Sequence, residues 1–248
     1  MAVLTLRFYE ELNDFLPSDK KKRQFAYPID RKASVKDVIE SLGVPHTEVE
    51  LILVNGQSVD FQYQVRDRDE ISVYPVFESF NISPLLRLRD KPLRHLHFVA
   101  DSNLGKLSQY LRLLGFDCLY RNDYEDAEVA DIAHQQHRVV LTRDRRLLQR
   151  KIITHGYFLR SDQPKQQVAE VLDRFDLYDD AEPFSRCVNC NGELFKVDKA
   201  EVIDQLEPLT RKYYDDFKIC EDCGQIFWPG SHFERANKLL KEFMPDRE

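Results

Sequence analysis

The sequence predicts an α/β chain of three modules: a small β-sheet module with one helix, a central parallel α/β module, and a C-terminal ribbon closed by cysteines. Three observations carry this prediction. Alternating Leu4, Leu6 and Phe8 are followed by a helix-period stripe at Val35, Val38, Ile39 and Leu42. From Leu96 onward short apolar runs alternate with helical patterns, and two of those runs stop at an aspartate. Near the end stand two Cys-x-x-Cys pairs, Cys187 with Cys190 and Cys220 with Cys223.

In the first module Leu4, Leu6 and Phe8 share one strand face, and Glu10 to Phe15 reads as a turn or short helical segment. Ser34, three residues before Asp37, is placed to cap the helix, and Gly43 lies just past its end. Leu51-Ile52-Leu53-Val54 meets Asn55-Gly56, a hairpin signal, and Ile71 to Val76 forms a last strand. Strands around one helix in residues 1–80 predict a β-grasp. The pattern resembles the ubiquitin-like sulfur carriers, whose chemistry needs a free terminal Gly-Gly. Here the last strand runs on into Tyr74-Pro75-Val76-Phe77-Glu78, so a docking or packing module with a protein partner is expected instead. Asn81 to Pro92, holding Pro84 and Pro92, is the expected connection.

The second module is expected over residues 93–178. Phe98-Val99-Ala100 ends at Asp101, and Leu104, Leu107, Leu111 and Leu114 then line one helix face up to Gly115. Phe116 to Tyr120 reads as a strand, Asp126 opens a helix, and Val139 to Thr142 is a strand stopping short of Asp144. A short helix from Arg145 to Lys151, a strand through Tyr157 and a helix from Gln166 to Phe175 complete the alternation. That order implies parallel strands with right-handed crossovers.

Strand ends on one edge of a parallel sheet form a ligand crevice, so Asp101, Asp126 and Asp144 are candidates for holding a hard divalent cation such as Mg²⁺ or Mn²⁺. Each also stands at or just before an expected helix start, where aspartate serves as an N-cap. The net charge is −7, yet residues 86–165 carry 15 Lys and Arg against 10 Asp and Glu. A basic centre that also holds the acids suits a site binding a polyanion with a metal. His134 and His137, three apart on a helix, offer a further ligand pair or simply an exposed one. A haloacid-type phosphatase would want an acid where Asn103 stands, and a response receiver an acid pair that His97 to Asp101 lacks.

The third module is expected over residues 183–248. Its two Cys-x-x-Cys knuckles, 29 residues apart, supply four thiolates for a structural tetrahedral Zn²⁺. The insert Val197 to Asp216 is expected to carry its own helix or hairpin, and Cys118 reads as a small buried hydrophobe. Ser231 and Glu234 have the spacing of a capping box for a helix through Phe243. Phe227, Trp228 and His232 either stack on RNA bases or pack against a neighbouring module.

Taken together, Phe98-Val99-Ala100-Asp101, Gly105-Lys106-Leu107, Leu113-Leu114-Gly115-Phe116-Asp117, Asp126 with its helix and Leu141-Thr142-Arg143-Asp144-Arg145 resemble the bacterial mut-seven C-terminal RNase domain family, a PIN-like nuclease group. Its members carry a ubiquitin-like N-terminal module and a C-terminal zinc ribbon, so the resemblance spans nearly the whole chain. It implies a divalent-metal-dependent endoribonuclease. Asp101, Asp126 and Asp144 match the acidic metal positions, Asn103 would add a neutral oxygen ligand or orient a metal-bound water, and Lys106, Arg143 and Arg145 would hold RNA phosphates. The wider PIN pattern often has a fourth acid where Arg146 stands, with Asp123 or Asp131 as substitutes. A noncatalytic RNA-binding or ribonucleoprotein adaptor retaining the fold is the alternative. With 42% hydrophobic residues, no apolar run of membrane-span length and no leader pattern at Met1 to Phe8, a cytoplasmic protein is expected.

Overall fold

The computed structural model describes residues 2–75 and 96–244, so the expected connection Asn81 to Pro92 lies outside the described residues. The first elements are β1 (Ala2–Phe8), β2 (Phe25–Ile29), α1 (Val35–Ser41), β3 (Leu51–Val54), β4 (Gln57–Ser58) and β5 (Glu70–Tyr74). The central ones are β6 (Phe98–Ala100), α2 (Gly105–Leu113), β7 (Cys118–Leu119), α3 (Asp126–Gln136), β8 (Val139–Thr142), α4 (Arg145–Leu148), β9 (Gly156–Phe158) and α5 (Pro164–Phe175). The chain finishes with β10 (Leu194–Val197), α6 (Lys199–Val202), α7 (Pro208–Tyr213), β11 (Phe217–Cys220), β12 (Ile226–Phe227) and α8 (Ser231–Phe243). These pack as two units, Met1–His95 with Asp126–Phe158 and Leu96–Glu125 with Leu159–Glu248.

In the first unit the strand order β2-β1-β5-β3-β4, with β1 parallel to β5 and the other pairs antiparallel, is the expected β-grasp. Alternation puts Leu4, Leu6 and Phe8 against Val35, Val38 and Ile39 of α1, and all six are essentially buried. Burying each such side chain stabilises the fold by roughly 1.5–3 kcal/mol. The Ser34 hydroxyl accepts from Asp37 N–H at 3.2 Å while Asp37 accepts from Ser34 N–H, a complete capping box. Asn55 and Gly56 both adopt positive φ, 50° and 78°, as a two-residue hairpin turn with the strand twist requires. The same unit holds β8 parallel to β9 with α3 and α4; Val129, Ala130 and Ala133 supply the buried face of α3, and Ile132 is half-buried.

In the second unit β6 runs parallel to β7, and Leu104, Leu107, Leu111 and Leu114 are buried as the helix period predicts. Of the strand expected over Phe116 to Tyr120 only Cys118–Leu119 forms. Phe116 N–H donates back to the Leu111 carbonyl at 2.9 Å, closing α2 and delaying the strand. The ribbon sheet has order β10-β11-β12, antiparallel throughout, and of the helix or hairpin expected in the insert it is helix that forms, as α6 and α7. The Ser231 capping box does not form: Gly230 occupies the N-cap, and its carbonyl accepts from Glu234 N–H at 3.1 Å. Ser231 is therefore the first helical residue. No helix among the described residues is long and apolar enough to cross a membrane.

Candidate functional site

Strand β6 is buried at all three positions and hands the chain to Asp101, which is 7% exposed. The Ser102 hydroxyl donates to Asp101 Oδ1 at 3.1 Å. The N-cap of α2 is Leu104, without any side-chain bond, so Asp101 does not serve as the cap that its position before the helix suggested. Tyr120 is a residue the sequence did not flag: its hydroxyl donates to the Ser102 carbonyl at 3.0 Å, pinning the turn after Asp101. A Cβ at Gly105 would lie 2.6 Å from that hydroxyl oxygen, so the glycine makes room for the ring. Asn103 is exposed, and Lys106 reaches Gln109 at 3.3 Å and the Tyr110 ring at 5.4 Å. Asp123 pairs with Arg121 at 2.7 Å in an exposed loop, and the Arg121 hydrogen bond holds its carboxyl below the usual range.

In the other unit Asp144 is the N-cap of α4, its Oδ1 accepting from Arg146 N–H at 2.8 Å. Its own N–H donates to Thr142 Oγ1 at 2.9 Å, which fixes the turn leaving β8. Asp126 is the first residue of α3, where a carboxylate complements the helix dipole, and Arg150 lies 3.9 Å away. Both partners are nearly half exposed, so that pair contributes little. Arg143 is exposed. Arg145 is exposed, and its guanidinium carbon sits 4.9 Å from the Phe15 ring and 5.2 Å from the Phe158 ring. Asp131, His134 and His137 are exposed.

Arg145 is part of a wider anchorage of α4 and β9 on the β-grasp. Glu48, fully buried, accepts from Phe158 N–H at 2.6 Å, and His46 Nε2 lies 2.8 Å from the Ile153 carbonyl while its Nδ1 lies 2.7 Å from Glu40. The segment bearing Asp144 is thus seated through buried charged contacts. Glu48→Ala, which leaves the Phe158 N–H without its acceptor, is expected to lower the unfolding free energy by about 2 kcal/mol. Glu48→Gln, keeping an acceptor oxygen, should recover part of it. Denaturant melts of the two variants measure the difference, and equal losses would mean the hydrogen bond is not what stabilises.

The ribbon brings its predicted ligands together. The Sγ atoms of Cys187, Cys190, Cys220 and Cys223 all lie within 4.8 Å of one another, the one such group of His, Cys, Asp or Glu among the described residues. Cys187–Cys223 and Cys190–Cys220 separations of 3.8 and 3.3 Å bracket the edge of a tetrahedron with bonds of about 2.3 Å, so the set fits zinc. Desolvation pushes the Cys190 thiol up to about 12 and raises Cys187, while backbone N–H donation from Gln225 lowers Cys223. Crowded thiols of this kind ionise together only when a cation offsets their charge.

The first knuckle is fixed to α2 and β7. Arg112, 3% exposed, donates to the carbonyls of Cys118 at 2.9 Å and Asn189 at 2.8 Å, burial lowering its pKa. Asn191 Oδ1 accepts from Cys118 N–H at 2.9 Å, and its amide donates to Asp117 at 2.8 Å. Cys118 itself is fully buried and belongs to no cysteine cluster, the packing role expected of it.

Two family models match the chain. One described as the Mut7-C RNAse domain covers residues 96–240, more than half of the sequence, and one described as Mut7-C ubiquitin covers residues 1–81. Among curated proteins nothing matches. A solved structure, SAMP1 from Haloferax volcanii, is 17% identical over 32% of this chain and 100% of that one, at a TM-score of 0.26.

Proposed function

We propose, for a chain that belongs to the Mut7-C RNAse domain family, that it is a divalent-metal-dependent endoribonuclease whose acidic residues are Asp101, Asp126 and Asp144. The observation that carries the reading is the placement of Asp101, delivered by a buried parallel strand to its C-terminal end. That end of a parallel strand is where α/β sheets bind their ligands. The hard oxygen donors of the three aspartates suit Mg²⁺ or Mn²⁺, whereas the four sulfurs suit Zn²⁺, which we assign a structural role.

When bound, the divalent ion lowers the pKa of a coordinated water and offsets charge on the phosphoryl oxygens. The chain's own residues then have separable tasks. The three carboxylates would supply the ion's oxygen ligands, and the Asn103 amide would orient a group beside it. Lys106 and Arg143 hold phosphate oxygens, and Arg145 contributes positive charge from its seat between Phe15 and Phe158. RNA is the substrate in this reading, and the β-grasp module is a seat for α4 that also offers a surface to a protein partner.

The test is cleavage of end-labelled single-stranded RNA by zinc-loaded full-length protein in buffer freed of other divalent ions, with Mn²⁺ or Mg²⁺ then added. Chelator is kept out of the reaction so that the ribbon's zinc is undisturbed. Internal cuts that appear with added metal and fall by about 10³-fold in Asp101→Asn are expected. Cuts that need no added ion, or that persist in the variant, would overturn the assignment. RNA binding without any cutting would favour the adaptor.

A further inference from the structure

We infer that the ribbon carries a second RNA site, remote in sequence from the aspartates: an aromatic cavity that takes one unpaired nucleotide, base inward and phosphate on a lysine pair. The inference rests on RNA being the substrate, as proposed above. It starts from strand register. Lys196 on β10 stands directly opposite Lys218 on β11, and Lys218 stands directly opposite Phe227 on β12. Like charges directly opposite on neighbouring strands repel, and an anion bound between them would offset that repulsion. Lys218 is fixed in place, its Nζ donating to the Phe184 carbonyl at 2.8 Å. Lys196 is exposed and has no partner among the described residues.

Both lysines line a cavity of about 580 Å³ whose remaining wall is largely apolar, with the rings of Phe227, Trp228, His232 and Phe233 supplied by β12, the turn after it and the start of α8. That volume lies within the range of ligand pockets. Arg186 also lines the cavity, and Asp216 is its acid, so cations outnumber acids three to one there, in a stretch of chain otherwise rich in acids. An apolar peptide would satisfy the rings and leave the lysines repelling each other. An inorganic anion would satisfy the lysines and leave the rings wet. A single-stranded RNA nucleotide supplies a flat π face and a phosphate at adjoining positions, the combination by which unpaired RNA is held.

Trp228 is the one tryptophan of the chain and lines this cavity, so its fluorescence reports on a ligand bound there. The experiment titrates full-length zinc-loaded protein, without Mg²⁺ or Mn²⁺, with a short single-stranded oligoribonucleotide, its abasic counterpart and inorganic phosphate. Saturable change of Trp228 emission by the RNA is expected, with the abasic chain binding about tenfold more weakly. Lys196→Ala should reduce the slope of log affinity against log salt by about 0.7, and Lys196→Glu should abolish the signal at moderate salt. Lys196 is exposed, and zinc content with the thermal melt checks that either variant is folded. No emission change at low salt, an equal response to the abasic chain or to phosphate, or an unaltered response in Lys196→Glu would overturn the inference. The outcome is separate from that of the cleavage reading: a protein that cuts RNA without a Trp228 response refutes this site alone, and a Trp228 response without cutting refutes the nuclease alone.

Discussion

Asp144→Asn is expected to lower metal-dependent cleavage by about 10³-fold while leaving the thermal stability of the chain nearly unchanged. The two halves of that expectation come from two uses of one side chain. Asp144 Oδ1 caps α4 by accepting from Arg146 N–H. Asparagine keeps that acceptor and ranks with aspartate as an N-cap, so the melting temperature should move by no more than about 1 °C. The negative charge is removed, and with it the ligand we propose for a hard cation. Asp144→Ala removes both functions and should add a loss of about 1 kcal/mol to the same rate defect. Single-turnover cleavage over a Mn²⁺ titration, run beside thermal melts of both variants, separates the roles. If Asp144→Asn cuts RNA at the parent rate while Asp144→Ala melts early, Asp144 is a helix cap and its catalytic assignment is wrong.

Each of the three acids was open to two readings in the sequence, helix cap or metal ligand, and the structure treats them differently as caps. Asp101, Asp126 and Asp144 all stand near helix starts, so composition and spacing alone treated them alike. The structure caps α4 with Asp144, puts Asp126 inside the first turn of α3 and leaves the α2 cap to Leu104. The difference lies in how far the chain runs between strand and helix, which depends on the turn that Tyr120 pins across Gly105. Local periodicity identified the elements well because it is a local property: the stripes of α1, α2 and α5 and the turn at Asn55-Gly56 are each specified within a few residues.

What stayed illegible was long-range and polar. Glu48 bonds Phe158 across 110 positions, His46 reaches Ile153 across 107, and Asn191 reaches Cys118 across 73. A lone Glu, His or Asn in a loop carries no period and no motif, so nothing in the sequence marks it as buried. The shortened β7 has the same origin. Phe116 N–H closes α2 and Cys118 N–H is taken by Asn191, so backbone groups expected in a strand ladder are satisfied elsewhere. At Ser231 the spacing to Glu234 matched a capping box, yet Gly230 entered the helix turn first, because a residue without a side chain caps nearly as well.

Cys220→Ser is expected to cost the chain its zinc and, with it, the order of the whole ribbon. Four sulfurs within 4.8 Å of one another would close the shell of a tetrahedral zinc, and three of them would leave a position that water can enter. Binding of structural zinc contributes on the order of 10 kcal/mol to folding, more than a ribbon core built around Val202, Leu206, Phe217 and Ile226 can replace. The loss should propagate, because Arg112 and Asn191 tie the first knuckle to α2 and β7 through bonds that presuppose its shape. Metal analysis should therefore read one zinc per parent chain and none in Cys220→Ser, and limited proteolysis should open the variant beyond residue 183. Cys118→Ala is the matched control, since Cys118 is buried outside the cluster and should keep its zinc. Acid should mimic the substitution in the parent: the cysteine ligands must be deprotonated to bind metal, so zinc is released as pH falls. A Cys220→Ser chain that retains stoichiometric zinc and full protease resistance would mean that the four cysteines are a packing cluster rather than a metal site.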